Sequence, residues 1–426
     1  MKVALIGSGG REHALALKIN ESKLLDKLYI LPGNPGTAKI GENVDIDIDN
    51  KKEVVSFCIV KEIDLVVIGP EQPLVNGMAN ELRANGILVF GPDSSAAEIE
   101  AHKTFAKKIM ISAGVPTAKY IEFKTSMYDH LMEFIKQKKY PCVFKADGLA
   151  GGKGVVICND ADEAEAALKS FFIDRIFGES GEKILIEEFL EGEEASVFAI
   201  TDGNNFVCLP ASQDHKRIGD NDTGKNTGGM GAYAPAPIIT NKILNEISIN
   251  IIAPTLQALK AEGKTFIGCL YAGLILTSNG VKVIEFNCRF GDPETQVVLP
   301  LLKGDFLKLL HSAANGKLDK DSVSYNGGSA VCVVAASNGY PGQYKKGLEV
   351  FGLDKVPENA IVYHAGTKEE NGKIFTDGGR VLGVASVLVE NDLKRAKILA
   401  YRALDKIHFS NMYYRKDIAE KAIEKL

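Results

Sequence analysis

Val3-Ala-Leu-Ile-Gly7-Ser-Gly9-Gly10-Arg11-Glu12-His13 decides the first part of the fold. A short apolar run stops at a glycine turn, and the turn opens directly into a helical pattern. Residues 28–33, 65–70 and 88–92 repeat the apolar run with a Gly or Pro stop, and helical stretches such as 11–19 and 76–84 lie between them. Strands alternating with helices build a parallel sheet whose ligands gather at the carboxyl ends of the strands. The opening run carries a single positive charge and ends at Gly7, so it reads as a buried strand rather than a signal peptide.

The turn itself suits an anion. Helix N-termini expose unpaired N–H groups, and glycines let the backbone approach an oxyanion closely. A dinucleotide fingerprint does not fit, because Glu12 stands where Gly or Ala should pack helix on strand. The second strand also ends in Leu31-Pro-Gly-Asn34 rather than in an acid. A monophosphate site at Gly9 and Gly10, with Arg11 as its clamp, fits better; a plain strand–helix turn is the alternative. Gly33-Asn34-Pro-Gly36-Thr37 and Gly69-Pro-Glu71 end the next two strands on the same sheet edge. They form either turn chemistry alone or the walls of a shared pocket.

The chain has 426 residues, 45% of them hydrophobic, which suits several domains rather than one core. Charged residues make up 25% and no like-charge block is long enough to act as a tail. A net charge of −5 gives no support for nucleic acid as a partner, and no apolar run is long enough to span a membrane. The seven cysteines are scattered without a Cys-x-x-Cys, which points to a reducing cytoplasmic setting and away from structural zinc.

Ser94 reads as the cap of one helix running to Gly114. Beyond Thr117 the pattern changes. Strands are predicted at 119–123, 142–146, 155–158, 183–189, 195–201, 206–213, 266–276 and 281–287, and helices at 126–138, 162–172, 240–261 and 296–315. From Gly328 strands are predicted at 330–335, 361–365 and 381–389, before a helix at 391–407. These changes divide the chain into 1–101, 102–324 and 325–426.

Two stretches of the middle part carry chemistry. Lys145-Ala-Asp-Gly148-Leu-Ala-Gly151-Gly152-Lys153-Gly154 lies between two strands and lacks the spacing of a Walker loop. A glycine hairpin bearing lysine can fold over a polyphosphate as a lid, and Lys145 on an apolar strand is costly without an anion. In Val283-Ile-Glu285-Phe-Asn287, alternation places Val283, Glu285 and Asn287 on one face. Two oxygen ligands there suit Mg2+ or Mn2+ completed by water and phosphate. Arg289 follows on the same face, either paired with Glu285 or free to take a substrate carboxylate. The glycine-rich loop 219–231 is too long for an idle hairpin.

Together these motifs resemble the ATP-grasp ligases and, more narrowly, the phosphoribosylamine–glycine ligase family of purine biosynthesis. The match rests on Gly9–Leu15, Gly69–Glu71, Lys145–Gly154, Gln213–Arg217, Thr227–Gly231, Glu285–Gln296 and Asp377–Gly383, and so covers essentially the whole chain. It implies an α/β and α+β multidomain protein. A parallel-sheet pre-ATP-grasp N-terminal domain binds phosphoribosylamine (1–101). An ATP-grasp core follows (102–324), with a mobile lid subdomain at about 119–190, and then a small mixed C-terminal domain (325–426). The resemblance further implies ATP contacts from Lys103, Lys145, Gly148, Gly151, Gly152, Lys153, Gly154, Glu187, Glu188, Leu190 and Glu194. Glu285 and Asn287 become the metal ligands for Mg2+ or Mn2+. Gly9, Gly10, Arg11, Glu12, Asn34, Gly36, Thr37, Glu71 and Asp292 become substrate contacts. Arg289, Asp214 and Lys216 become the catalytic groups, with Arg289 on the carboxylate of glycine and Asp214 near its ammonium. The implied reaction joins glycine to 5-phosphoribosylamine through glycyl phosphate, in a cytoplasmic monomer. Another ATP-grasp ligase, or a carboxylase acting on bicarbonate, is the alternative. A nicotinamide oxidoreductase is disfavoured by Glu12, and a nucleotide sensor would not need both lid and metal ligands.

Overall fold

A computed structural model of the chain describes residues 1–150, 154–325 and 327–425. β1 (Lys2–Gly7), β2 (Lys27–Pro32), β3 (Glu42–Asn43), β4 (Leu65–Ile68) and β5 (Val89–Phe90) form one sheet in the order β3-β2-β1-β4-β5. Every pair in it is parallel. Along β1, Ala4 and Ile6 enter one apolar cluster while Val3 and Leu5 enter another. Both faces of the sheet are therefore covered, which is why these strands read as unbroken apolar runs. Strand order reverses at β1, so the turns at Gly7–Gly10, Gly33–Thr37 and Gly69–Glu71 share one edge beside this switch point. α1 (Gly10–Asn20) starts from that edge.

The helix predicted from Ser94 to Gly114 is two helices, Ser94–Ala101 and Lys103–Ser112, and its N-cap is Asp93. His102 is extended between them (φ −129°, ψ 106°). Asp147 makes the break, because its carboxylate accepts Thr104 N at 2.7 Å and so caps the second helix. The helix predicted at 296–315 is also broken. A short helix at Thr295–Val298 runs into a 3-10 turn at Leu299–Leu301, and Phe306–Ala314 starts afresh on the Asp305 cap. Pro300 and Gly304, the latter at φ +95°, account for the interruption.

The middle of the chain holds two antiparallel sheets. Tyr120–Lys124, Lys183–Glu188, Cys142–Ala146 and Val155–Cys158 form one, with an apolar cluster of their own around Phe144, Phe171 and Ile186. Phe206–Cys208, Glu193–Thr201, Gly268–Thr277 and Gly280–Asn287 form the other. The strand predicted at 206–213 stops short of Pro210, and its far end, Gln213–Asp214, belongs to a third sheet. That sheet continues through Gly231–Ala234, Ser329–Ser337, Arg380–Leu388 and Ala360–His364. Two of its strands precede residue 325, so the sheet of the last region is completed by the middle one.

Candidate active site

The strand Gly280–Asn287 departs from simple alternation at one residue. Gly273 pairs with Glu285 but Leu274 pairs with Val283, so Ile284 is the extra residue of a β-bulge. Val283 therefore shares the core with Phe286 and Cys288, and not the face of Glu285 as alternation predicts. Glu285 and Asn287 both follow the bulge and stay together. The Asn287 amide fits its neighbours with its nitrogen donating to Glu100 Oε1 and Phe286 O, each at 3.2 Å, which turns its oxygen away from those two acceptors. Burial opposes ionisation of Glu285, but Lys216, Lys145, Lys103 and Arg289 outweigh it and hold its carboxyl below the usual range. An ionised carboxylate and an amide oxygen on one face fit a hard cation that takes its remaining ligands from water and phosphate. Among the described residues no cluster of three or more His, Cys, Asp or Glu could hold a metal by itself.

Cations surround this face. Lys145, buried at the end of its strand, reaches Ile284 O at 3.1 Å and Glu187 Oε2 at 2.9 Å. The bulge thus supplies the carbonyl that holds one lysine as well as the turn that aims Glu285. Lys103 Nζ donates to Gly148 O at 3.1 Å, and Lys103 N to Asp147 O at 3.0 Å. The start of the glycine loop is thereby fixed to a helix N-terminus. Gly154 closes the far side of that loop, its carbonyl accepting Ala146 N at 2.8 Å; Gly151, Gly152 and Lys153 lie outside the described residues. Lys216 pairs with Glu194 at 2.7 Å. Burial pushes the Asp214 carboxyl up; Lys216 opposes this, and Glu294 and Glu194 add to the rise.

At the strand's end, Arg289 does not pair with Glu285. Its Nε donates to Glu71 at 3.0 Å and its Nη2 to Glu100 at 2.7 Å. Arg289, with help from Arg11, holds Glu71 well below the usual carboxylate range. Asp292 receives Gln296 Nε2 at 2.7 Å and pairs with Arg380 Nη2 at 3.1 Å. Arg380 also donates to Gly228 O and Asp292 O, both at 2.7 Å.

The first glycine turn is filled from within. Glu12 accepts Gly9 N at 2.7 Å and Arg11 Nε at 2.6 Å. Carbons added at Gly7 or Gly69 would meet the Glu12 side chain within 2.5 Å. These glycines therefore make room for a carboxylate of the chain itself, and Gly9 N–H is already used. Arg11 Nη1 donates to Phe290 O at 3.0 Å, while its Nη2 has no protein partner among the described residues. Asn34 is likewise committed: its oxygen accepts Gly36 N and Thr37 N, and its nitrogen donates to Ser8 O and His364 O. Thr37 is fully buried and bonded to Asn34 O and Asn43. Asn34, Gly36 and Thr37 thus build a turn that joins the first region to the last.

Toward the end of the small subdomain's sheet, Glu187 is buried between Lys145 and Lys107, and Glu188 pairs with Lys282 at 3.2 Å. Leu190 is half-buried just beyond that strand.

Family models match the chain along most of its length. They are the N domain (residues 1–100), the ATP-grasp (A) domain (101–295) and the C domain (330–421) of phosphoribosylglycinamide synthetase. A phosphoribosylamine–glycine ligase from Caldanaerobacter subterraneus subsp. tengcongensis is 47% identical over 98% of this chain and 99% of its own. The chain belongs to the phosphoribosylamine–glycine ligase family. A solved structure of that ligase from Thermotoga maritima is 35% identical, with a TM-score of 0.84 over 98% of this chain and 100% of its own. The biotin carboxylase domain of Hydrogenobacter thermophilus 2-oxoglutarate carboxylase shares the fold at 18% identity, with a TM-score of 0.73 over 97% of this chain and 91% of that one.

Within this family frame, the structure brings in residues that the sequence reading passed over. Glu100 holds Arg289 and Cys288 N, and Lys107 holds Glu187. Tyr271 donates to Glu294 at 2.9 Å; Arg380, read only as part of the Asp377–Gly383 motif, ties two loops together. Glu100, Lys103 and Lys107 fall at positions i, i+3 and i+7, a polar stripe where a core-facing stripe would be apolar, and this was the available signal.

Proposed function

We propose that this chain is the ATP-dependent, ADP-forming ligase that joins glycine to 5-phosphoribosylamine and yields glycinamide ribonucleotide for purine biosynthesis in the cytoplasm. The observation that carries this reading is Glu285 and Asn287 on one face of a bulged strand, among Lys103, Lys145 and Lys216. Full-length membership of the family supports the choice of substrates.

ATP lies with its phosphates toward these lysines. The described ends of the glycine loop, Gly148 and Gly154, border them, and the backbone of the stretch from Glu187 through Glu188 and Leu190 to Glu194 edges the nucleotide. Glu285 and Asn287 hold Mg2+ or Mn2+, which when bound neutralises phosphate charge. Glycine sits between Arg289 and Asp214. Glu71 and Glu100 fix the guanidinium plane, and each terminal nitrogen keeps one N–H for the glycine carboxylate. The ammonium of glycine stabilises Asp214 as its anion. A carboxylate oxygen attacks the γ-phosphorus, the bond to ADP breaks, and glycyl phosphate forms. The amine of phosphoribosylamine then attacks the acyl carbon and expels phosphate, losing a proton. Lys216 and Lys103 offset the charge moving between these groups. Phosphoribosylamine enters at the edge where Gly9, Gly10, Arg11, Glu12, Glu71 and Asp292 meet, with Arg11 Nη2 toward its phosphate and Asn34, Gly36 and Thr37 shaping the wall.

A coupled assay of ADP release tests this. Sustained ADP release should require that glycine and phosphoribosylamine are both supplied. Release that follows bicarbonate instead of glycine would transfer the chain to the carboxylase reading.

A further inference from the structure

Glu187 is a buried carboxylate with one ammonium on each oxygen. Lys107 lies 3.2 Å from Oε1 and Lys145 2.9 Å from Oε2, and all three side chains are at most 5% exposed. The two lysines are not equivalent. Lys107 also donates to Thr117 Oγ1 at 2.8 Å and to Ala118 O at 3.2 Å, so its three N–H groups are all used inside the protein. Lys145 uses two, on Glu187 and Ile284 O, and acts on Glu285 across the metal-binding face. Among the described residues, therefore, Lys145 is the one of the two lysines with a donor to offer a ligand.

The charges explain why a second lysine is present. A lone Glu187–Lys145 pair would be neutral, and the carboxylate would compete with phosphate for Lys145. With Lys107 on its far oxygen, Glu187 can orient Lys145 and the group still keeps one net positive charge. When Lys145 turns to a phosphate, Glu187 is not left buried without a partner, a state that is strongly unfavourable. We propose that Lys107 is a positioning residue for nucleotide binding, acting through Glu187 as the counter-ion that frees Lys145 to hold polyphosphate. The inference rests on the reading of Lys145 as a phosphate-facing group.

Direct titration with the Mg2+ complex of a non-hydrolysable ATP analogue tests it without turnover. Lys107→Met keeps the length of the stem and removes its charge, and should weaken nucleotide binding by about tenfold or more. Lys107→Arg should bind close to the parent. Lys107→Met combined with Glu187→Gln restores one net positive charge on Lys145, and should recover most of the lost affinity. A purely structural role predicts that the double variant is no better than the single one, and that result overturns the proposal. Equal binding by the parent and Lys107→Met overturns it too. Should Lys107→Met fail to fold, the double variant carries the test alone: parental affinity supports the proposal and tenfold weaker binding refutes it. A parent chain that binds no nucleotide would instead refute the proposed function.

Discussion

Gly69→Ala tests whether the first glycine turn is built around Glu12. The added carbon would lie 2.2 Å from Glu12 Oε1 and 2.7 Å from its Cγ and Cδ, so the side chain must leave. Gly69 does not occupy the left-handed region, so the backbone accepts alanine and the cost is one of space. Displacing Glu12 breaks its bonds to Gly9 N and Arg11 Nε. Hydrogen bonds to a charged group contribute about 1.5–3 kcal/mol each, and forced overpacking costs about 1–3 kcal/mol. The two costs overlap, since a displaced Glu12 no longer clashes, and a net loss of about 3–5 kcal/mol follows. Denaturant melts followed in the N-terminal region measure it. Glu12→Ala removes the obstacle, so Gly69→Ala in that background should cost less than about 1 kcal/mol, giving a coupling of at least about 2 kcal/mol. Additivity within about 0.5 kcal/mol would refute the idea that these glycines exist to seat Glu12. A rise in the KM for phosphoribosylamine of equal size in both backgrounds would show instead that the glycines serve the substrate.

Three other outcomes are expected. Glu285→Gln should lower turnover by about a hundredfold or more in a protein that still folds, with some loss of stability because the change removes the anion from a ring of cations; near-normal turnover would remove the metal argument. Burial depresses His13 to about 3 and His364 and His215 to about 4, from an ordinary 6.5. The unfolded chain takes up protons below 6.5 before the folded one does, so stability falls as pH drops from about 6.5 toward 4. The loss is about 2 kcal/mol for each histidine at pH 5. Melts at pH 7 and pH 5 check it, and His13→Asn, which keeps an acceptor for His364 N, should flatten part of the slope. Arg415 has a fully buried side chain that holds Asp222, Asp417 and Arg217 O. Arg415→Met should cost about 3–5 kcal/mol in thermal or denaturant melts and raise the KM for glycine, because the hairpin it secures follows directly on Lys216.

Four of the five strands of the first sheet were legible because each runs into a glycine or proline, whereas β3 is two polar residues with no such stop; the strand Cys142–Ala146 was legible because apolar residues surround its lysine. What escaped was set by distant partners. His102 interrupts a sequence with good helical character because Asp147, far along the chain, caps the helix after it. The bulge at Ile284 has no apolar signature, since both residues beside it suit a strand. Glu285 and Asn287 could still be placed together because the bulge precedes both. Gly231–Ala234 is short and unpatterned, and becomes a strand between Gln213–Asp214 and Ser329–Ser337. The sequence offered Arg289 either Glu285 or a substrate carboxylate, and could not show that Glu71 and Glu100, both distant in the chain, hold it.

That last point extends to most cations of the site. Lys145 is held by Glu187, Lys216 by Glu194, Arg11 by Glu12 and Arg380 by Asp292. Among the described residues Lys103 is the exception, resting on the carbonyl of Gly148. A polyanion entering such a site exchanges partners rather than meeting bare charges. The resting protein thereby avoids the cost of unpaired buried cations. Each exchange, however, releases a carboxylate that needs a new partner. Glu187 has Lys107 waiting, and the carboxylates on Arg289 need none because that guanidinium has N–H groups to spare. Glu194, half-exposed, can turn to water. The site therefore divides its cations by what their partners can do once released, and ATP can be expected to draw most strongly on Lys145 and Lys103.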